Sequence, residues 1–302
     1  MSIKKAKFIL LICFCFSCSV PEKQEQNSKL TDQINIENLD LDSPKFNRLN
    51  SDKSLGEEYF DFSYNFEQTS LFKRHLNTIG LCIDASNSEY IRRYSYSYKK
   101  AGEHAKAMKM LKISIDSEEE TKIKLNNLDY AAWNYLYFYR DYKNTIKTVN
   151  EILSLTNDNY GISCHGEPCL LLKAQALYRM SEYEEAITVF ERFQNNEEEQ
   201  GFDSMGNFLV VFYKAMCQIQ IQSYDKAIRN FSHLISEHPN AEVSFQLAKI
   251  YYLTSDFKKA KIHLNNAKKA LSDGYTFQEP YFERFDKVFE HNIQELKGKL
   301  KQ

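Results

Sequence analysis

A chain of 302 residues with only 9 Gly and 5 Pro has room for one or two ordinary domains and too few chain breakers for a turn-rich β fold, so long helices are expected. The net charge is −2 at pH 7 with both signs mixed along the chain, which argues against a nucleic-acid binder carrying a basic stripe. The 21 Phe and 20 Tyr are a large store of bulky side chains for a core or a binding face.

Lys4, Lys5 and Lys7 precede an apolar run from Phe8 to Phe16. That run is too short to cross a hydrocarbon core, which takes roughly 20 residues. A basic start, a short apolar stretch and then small residues make residues 1–18 an expected export signal. Ser17 directly before Cys18 resembles the lipobox of bacterial lipoproteins, in which the Cys becomes the acylated first residue. Cys15 and Phe16 depart from that pattern, which has Leu and a small residue there. The resemblance implies lipidation at Cys18, contact with a membrane through that lipid only, and a place in the bacterial cell envelope, at the outer membrane or facing the periplasm. The other readings are ordinary cleavage after Ser19, giving a soluble secreted or periplasmic protein, and an uncleaved anchor. Residues 19–56 are rich in Gln, Asn, Ser, Lys, Asp and Glu and cannot bury enough surface to offset ordering entropy. They are expected to form a disordered polar tether, averaging roughly 30–40 Å end to end.

Residues 57–87 hold a periodic apolar set, Leu71, Phe72, His75 and Ile79, expected as a capping helix or a degenerate hairpin. From 88 to 274 one phrase recurs: GEHAKAMKMLKIS, RDYKNTIKTVNEI, SEYEEAITVFERF, SYDKAIRNFSHL and SDFKKAKIHLNNA. Aligned on a small residue, the anchors are Ala107, Thr145, Ala186, Ala227 and Ala260, with spacings of 38, 41, 41 and 33. In the last copy Leu247, Ala248 and Tyr251 precede the anchor, and Leu264 and Ala267 follow it. The other copies fit in part. Before Thr145 the large and small positions are swapped, as Ala132 and Trp133. Apolar residues at i, i+3, i+4 and i+7 make one face of a helix. Two such helices bury their faces in a hairpin, and neighbouring hairpins must stack to cover what is left.

Between the second and third clear copies lies NYGISCHGEPC (159–169). An exported chain meets an oxidising compartment, so a Cys164–Cys169 disulfide is one reading; free or buried thiols and a metal site are the others. Cys82 and Cys217 fall in expected helices as core thiols. At the C-terminus Phe282, Phe285, Phe289, Ile293 and Leu296 recur every three or four residues. That periodicity predicts one amphipathic capping helix within 275–302.

The anchors and their flanking residues resemble the tetratricopeptide repeat, whose period is about 34 residues. The resemblance implies an all-α fold: an α-solenoid of stacked helical hairpins, about five repeats plus flanking helices. It also implies a concave groove lined by the first helix of each pair. Carried over by position, the groove would show Arg92, Tyr96 and Lys99, then Tyr130, Asn134, Tyr137 and Phe138. Leu171, Gln175, Tyr178 and Arg179 would follow, then Phe212, Met216 and Ile219, and last Phe245, Lys249 and Tyr252. Some of these rings would face the groove and the rest would pack between hairpins.

No glycine loop cradles phosphate, and neither HExxH nor GxSxG occurs. The expectation is therefore a non-enzymatic scaffold with no cofactor and no metal. It would bind another protein or peptide in the groove, as an envelope lipoprotein serving assembly of an envelope complex. The alternative is a carbohydrate-binding lipoprotein of glycan uptake.

Overall fold

The computed structural model describes residues 53–84, 87–157 and 161–301. The expected export signal, Cys18 and most of the polar tether lie outside them. In chain order the helices are α1 (Lys53–Ser63), α2 (Leu71–Ile83), α3 (Ser88–Lys100), α4 (His104–Asp116), α5 (Thr121–Trp133), α6 (Tyr142–Leu155) and α7 (Cys169–Arg179). They continue as α8 (Tyr183–Glu199), α9 (Phe208–Gln220), α10 (Tyr224–Glu237), α11 (Ala241–Leu253), α12 (Phe257–Ser272) and α13 (Glu290–Lys299). α5 runs into a π-helical turn, Asn134–Phe138, and two short strands, β1 (Ser163–Cys164) and β2 (Glu167–Pro168), pair antiparallel before α7. Each odd-numbered helix up to α11 packs on the even one after it, and each even one packs on the next odd one. The described residues form an all-α solenoid of six helical hairpins closed by α13.

α1 begins at Lys53, inside the stretch expected as tether, and pairs with α2 as a full hairpin. The pair is close because Gly80 lacks a side chain: a Cβ there would sit 2.6 Å from Phe60 Cδ2. Phe60 cannot retreat, being buried and stacked on Tyr90 at 3.9 Å. Gly80→Ala should therefore destabilise the first hairpin by about 1–3 kcal/mol, even though alanine is the better helix former. A thermal melt of the variant checks the sign.

The five anchors are all buried, where each second helix meets its first. Thr145 is tolerated at this dry position because its hydroxyl donates to Asp141 O at 2.9 Å. Five residues before every anchor the chain turns through a left-handed residue: Gly102, Arg140, Ser181, Gln222 and Ser255, with φ between 54° and 80°. Only one of the five is glycine, so the turn leaves almost no mark in the sequence.

The swapped residues of the second copy have a physical cause. In four hairpins the N–H just past the turn reaches back five residues: Glu103 to Tyr98, Glu182 to Leu177, Ser223 to Gln218 and Asp256 to Tyr251. In the α5–α6 hairpin Asp141 reaches six, to Tyr135. The π turn has inserted one residue, so positions before it are read one place out of register. Such insertions recur at functional sites.

The expected C-terminal helix is corrected. Only Glu290–Lys299 is helical, with Ile293 and Leu296 buried against α11 and α12. Phe282 and Phe285 belong to a segment without helix or strand that runs back over the hairpins. Local periodicity lost there to ring contacts with α5, α6 and α9.

Candidate functional site

The first helices of the hairpins, α3, α5, α7 and α9, touch one another in sequence and form an inner face. Residues 275–289 lie across much of it as a strap. Glu242, at the start of α11, fastens both ends: its carboxylate accepts from Thr276 Oγ1 (2.5 Å) and from the N–H groups of Phe277 and Val288 (3.2 Å each). Phe277 packs against Phe212 and Phe208. Phe282 stacks on Tyr137 at 4.1 Å and meets Trp133 edge-on at 5.4 Å. Phe285 lies among Tyr137, Tyr142 and Tyr213, with the guanidinium groups of Arg140 and Arg179 over its ring. Tyr213 donates to Phe285 O and Tyr178 to Asp286 Oδ1. Burial pushes the Asp286 carboxyl up, against the pull of Arg179.

A second piece latches the strap. Cys164 and Cys169 are joined by a disulfide, with their Cα atoms 4.9 Å apart. It closes the β1–β2 hairpin, whose turn residues His165 and Gly166 have φ of 55° and 90°, as a tight two-residue turn requires. Glu167 then accepts from Tyr137 Oη (2.5 Å) and from Arg284 Nη2 of the strap (2.7 Å). Gln175 Nε2 donates to the same tyrosine oxygen at 2.9 Å. The His165 ring packs on Trp133 at 4.9 Å.

Beyond the strap the inner face stays open. A pocket of about 270 Å³ lies between the α1–α2 connection, α3 and α5. Lys73, Arg92 and Arg93 bring positive charge to it, and Tyr64, Tyr96 and Tyr130 bring rings. Lys73 is 4% exposed, donates to Ser63 O at 3.1 Å and lies over Tyr64; burial holds its pKa down. Glu89 pairs with both arginines. Among the described residues, three buried polar atoms of the lining have no partner: Asn77 Oδ1, Arg92 Nε and Tyr130 Oη.

Behind the pocket Lys99 is buried in a niche of four rings. Its ammonium lies 4.3 Å from the Phe138 centroid and about as near to Tyr96, Tyr130 and Trp133. Asn134 Oδ1 accepts its one hydrogen bond, at 2.8 Å. Burial, helped by Lys100, lowers its pKa to about 7. An unfolded lysine titrates near 10.4, so charge on Lys99 opposes folding. The penalty is fully present below about pH 7 and fades as pH climbs toward 10. Lys99→Met should raise stability at pH 6 by on the order of 1–2 kcal/mol and flatten the rise between about pH 7 and 10. The gain is trimmed because Asn134 Oδ1 loses its donor. Urea melts at three pH values read it.

The residues singled out in the sequence fall into three groups. Arg92, Tyr96 and Tyr130 line the pocket, with Asn134, Phe138 and Lys99 behind it. Tyr137, Tyr178 and Phe212 lie beneath the strap and are buried, while Arg179 remains exposed at its edge. These three rings therefore present no free face, because Phe277, Phe282, Phe285 and Asp286 already cover them. Phe245 and Tyr252 pack into the cluster that seats α13, and Lys249 adds positive charge near Asp286. Sequence reasoning missed Trp133 and Asp129, displaced by the π turn, and Tyr64, Lys73 and Asn77, which precede the alignable repeats. Burial pushes the Asp129 carboxyl up to about 6. Among the described residues no group of three metal-ligating side chains occurs, and no helix is long and apolar enough to cross a membrane.

The tetratricopeptide repeat family matches residues 169–197 and 210–241. PilF of Pseudomonas aeruginosa superposes with a TM-score of 0.54 at 14% identity, covering 82% of this chain and 98% of that one. PilW, described as a type IV pilus biogenesis factor, gives 0.55 at 12%, covering 80% and 98%. The apo form of RapI gives 0.56 at 13%, covering 83% and 72%. At these identities the likeness is one of fold. No curated protein matches the chain.

Proposed function

For this chain, a tetratricopeptide repeat protein, we propose a role as a non-enzymatic, protein-binding scaffold that takes a segment of its partner at the open end of the inner face. The observation that carries the reading is the pocket in which Lys73, Arg92 and Arg93 meet Tyr64, Tyr96 and Tyr130. Arginine and rigid aromatics are the usual energetic anchors of interfaces. An acidic segment of a partner would supply acceptors for the cations, and its apolar groups would rest on the rings.

The placement is a bacterial envelope lipoprotein, held to a membrane by lipid on Cys18 and spaced from it by the polar stretch that follows. Support comes from the basic and apolar start of the sequence and from a fold shared with PilF and PilW. Since PilW is a type IV pilus biogenesis factor, service in the assembly of an envelope complex belongs to the same reading.

Two experiments test it. Cys18→Ser should abolish labelling by a fatty-acid probe and move the protein from the membrane to the soluble fraction; unchanged labelling contradicts the anchor. A photo-crosslinking residue at Tyr96 should trap one envelope protein that is not trapped from exposed Phe257, and Arg93→Glu should weaken the capture at least tenfold. Equal capture from both positions, or capture of polysaccharide alone, contradicts a protein site in the pocket.

A further inference from the structure

The strap occupies its place in the manner of a bound peptide. It carries no helix or strand between Gly274 and Glu290, and its backbone bonds side chains of the hairpins: Arg140 donates to Glu283 O and Tyr213 to Phe285 O. Two rings three residues apart do the main packing. Phe282 lies flat on Tyr137, and Phe285 sits under Arg140 and Arg179. The carboxylate that follows, Asp286, takes the Tyr178 hydroxyl.

Phe277 and Phe285 are buried in the core, but the strap's polar atoms are poorly matched there. Asp286 Oδ2 is buried without a partner among the described residues, as are Arg284 Nη1 on the strap and Arg140 Nη1 beneath it. Unpartnered buried polar atoms are expensive: lifting the strap returns those of Asp286 and Arg284 to water, and another occupant could bring an acceptor to Arg140 Nη1. α13 is seated through Ile293 and Leu296 on Leu264, Ala267 and Ala248, together with Val288 at the end of the strap. The strap contributes no helix to any hairpin, so its middle can lift between α12 and α13 while the hairpins stay paired.

We propose that the inner face from α5 to α9 is a second binding surface, for an extended peptide with two aromatic rings three residues apart and a carboxylate beside the second, and that residues 276–289 hold its place in cis. Tyr137 and Trp133 receive the first ring. Arg140 and Arg179 cover the second, and Arg179 and Tyr178 receive the carboxylate. The proposal is independent of the pocket at the other end, and either can fail alone.

The test uses the full chain and a fluorescein-labelled peptide with the sequence of residues 276–289, TFQEPYFERFDKVF, followed by anisotropy. In the wild type the attached strap outcompetes the free peptide, because a tethered ligand acts at millimolar effective concentration. The double variant Phe282→Ala, Phe285→Ala should bind the peptide at least tenfold more tightly than the wild type does. A control peptide with alanine at both ring positions should not bind it. Arg284→Ala leaves every ring in place and removes the Glu167 latch, together with the guanidinium's pairing with Glu279 and its place over the Tyr137 and Phe282 rings; it should shift affinity the same way by a smaller factor, and it decides the matter should the double variant fail to fold. Equal affinity for wild type and folded variants, or equal binding of the two peptides, overturns the proposal.

Discussion

Ala227→Glu should leave the α9–α10 hairpin unable to close. Ala227 is fully buried, one turn before Phe231, whose ring meets Phe212 at 5.6 Å. A glutamate there adds volume to a packed seam, worth about 1–3 kcal/mol, and carries a charge into a place with no partner, which costs several more. The sum is on the order of 5 kcal/mol, comparable to the whole stability of an ordinary domain. In a stack whose repeats lean on their neighbours, a failure in the middle spreads further than one at the end. Ala260→Glu, in the last hairpin, should fray α11 to α13 first. Lys226→Glu is the control, since that side chain is exposed and should change stability by no more than about 0.5 kcal/mol. Melting curves of the three variants rank them; an Ala227→Glu protein that melts with the wild type would mean that the anchors do not sit at the helix seam.

Phe285→Ala carries the second large effect. The ring is 5% exposed and touches three tyrosines and two guanidinium groups, so its removal should cost about 3–5 kcal/mol. The loss should be local. Amide exchange of Phe277 and Val288, whose N–H groups bond Glu242, should accelerate strongly while α7 and α9 keep their protection. Phe289→Ala is the contrast: that ring is 38% exposed, and its loss should pass almost unnoticed. The two phenylalanines have the same spacing in a helical reading of the sequence. A comparable loss from both would favour a continuous C-terminal helix over the strap.

The hairpins were legible because their signal is local. An alanine at the seam, with apolar residues four and seven positions on, follows directly from 3.6 residues per turn. What escaped was set by distant contact or by single insertions. The π turn at Asn134–Phe138 moved Trp133 to the inner face, and no residue in the sequence marks a π insertion. The turns at Arg140, Ser181, Gln222 and Ser255 use left-handed residues that are not glycine, so the usual punctuation is missing. Cys164 and Cys169 drew notice through their spacing, yet nothing local shows that their hairpin delivers Glu167 to Tyr137 and Arg284. The largest misreading was the strap. Phe282, Phe285 and Phe289 imitate a helix face, but the inner face offers Phe282 and Phe285 more burial than a helix would. That is also why Tyr137, Tyr178 and Phe212, which family position assigns to an open groove, are covered.

Trp133 is the single tryptophan of the chain and stands against Phe282 of the strap, so its fluorescence in the full-length protein reports the covered inner face directly. With the strap in place its emission should be blue-shifted and weakly quenched by acrylamide. Phe282→Ala should raise quenching severalfold and shift emission to the red, while the helical circular dichroism signal stays unchanged. Identical quenching in the two proteins would contradict an inner face covered by its own chain.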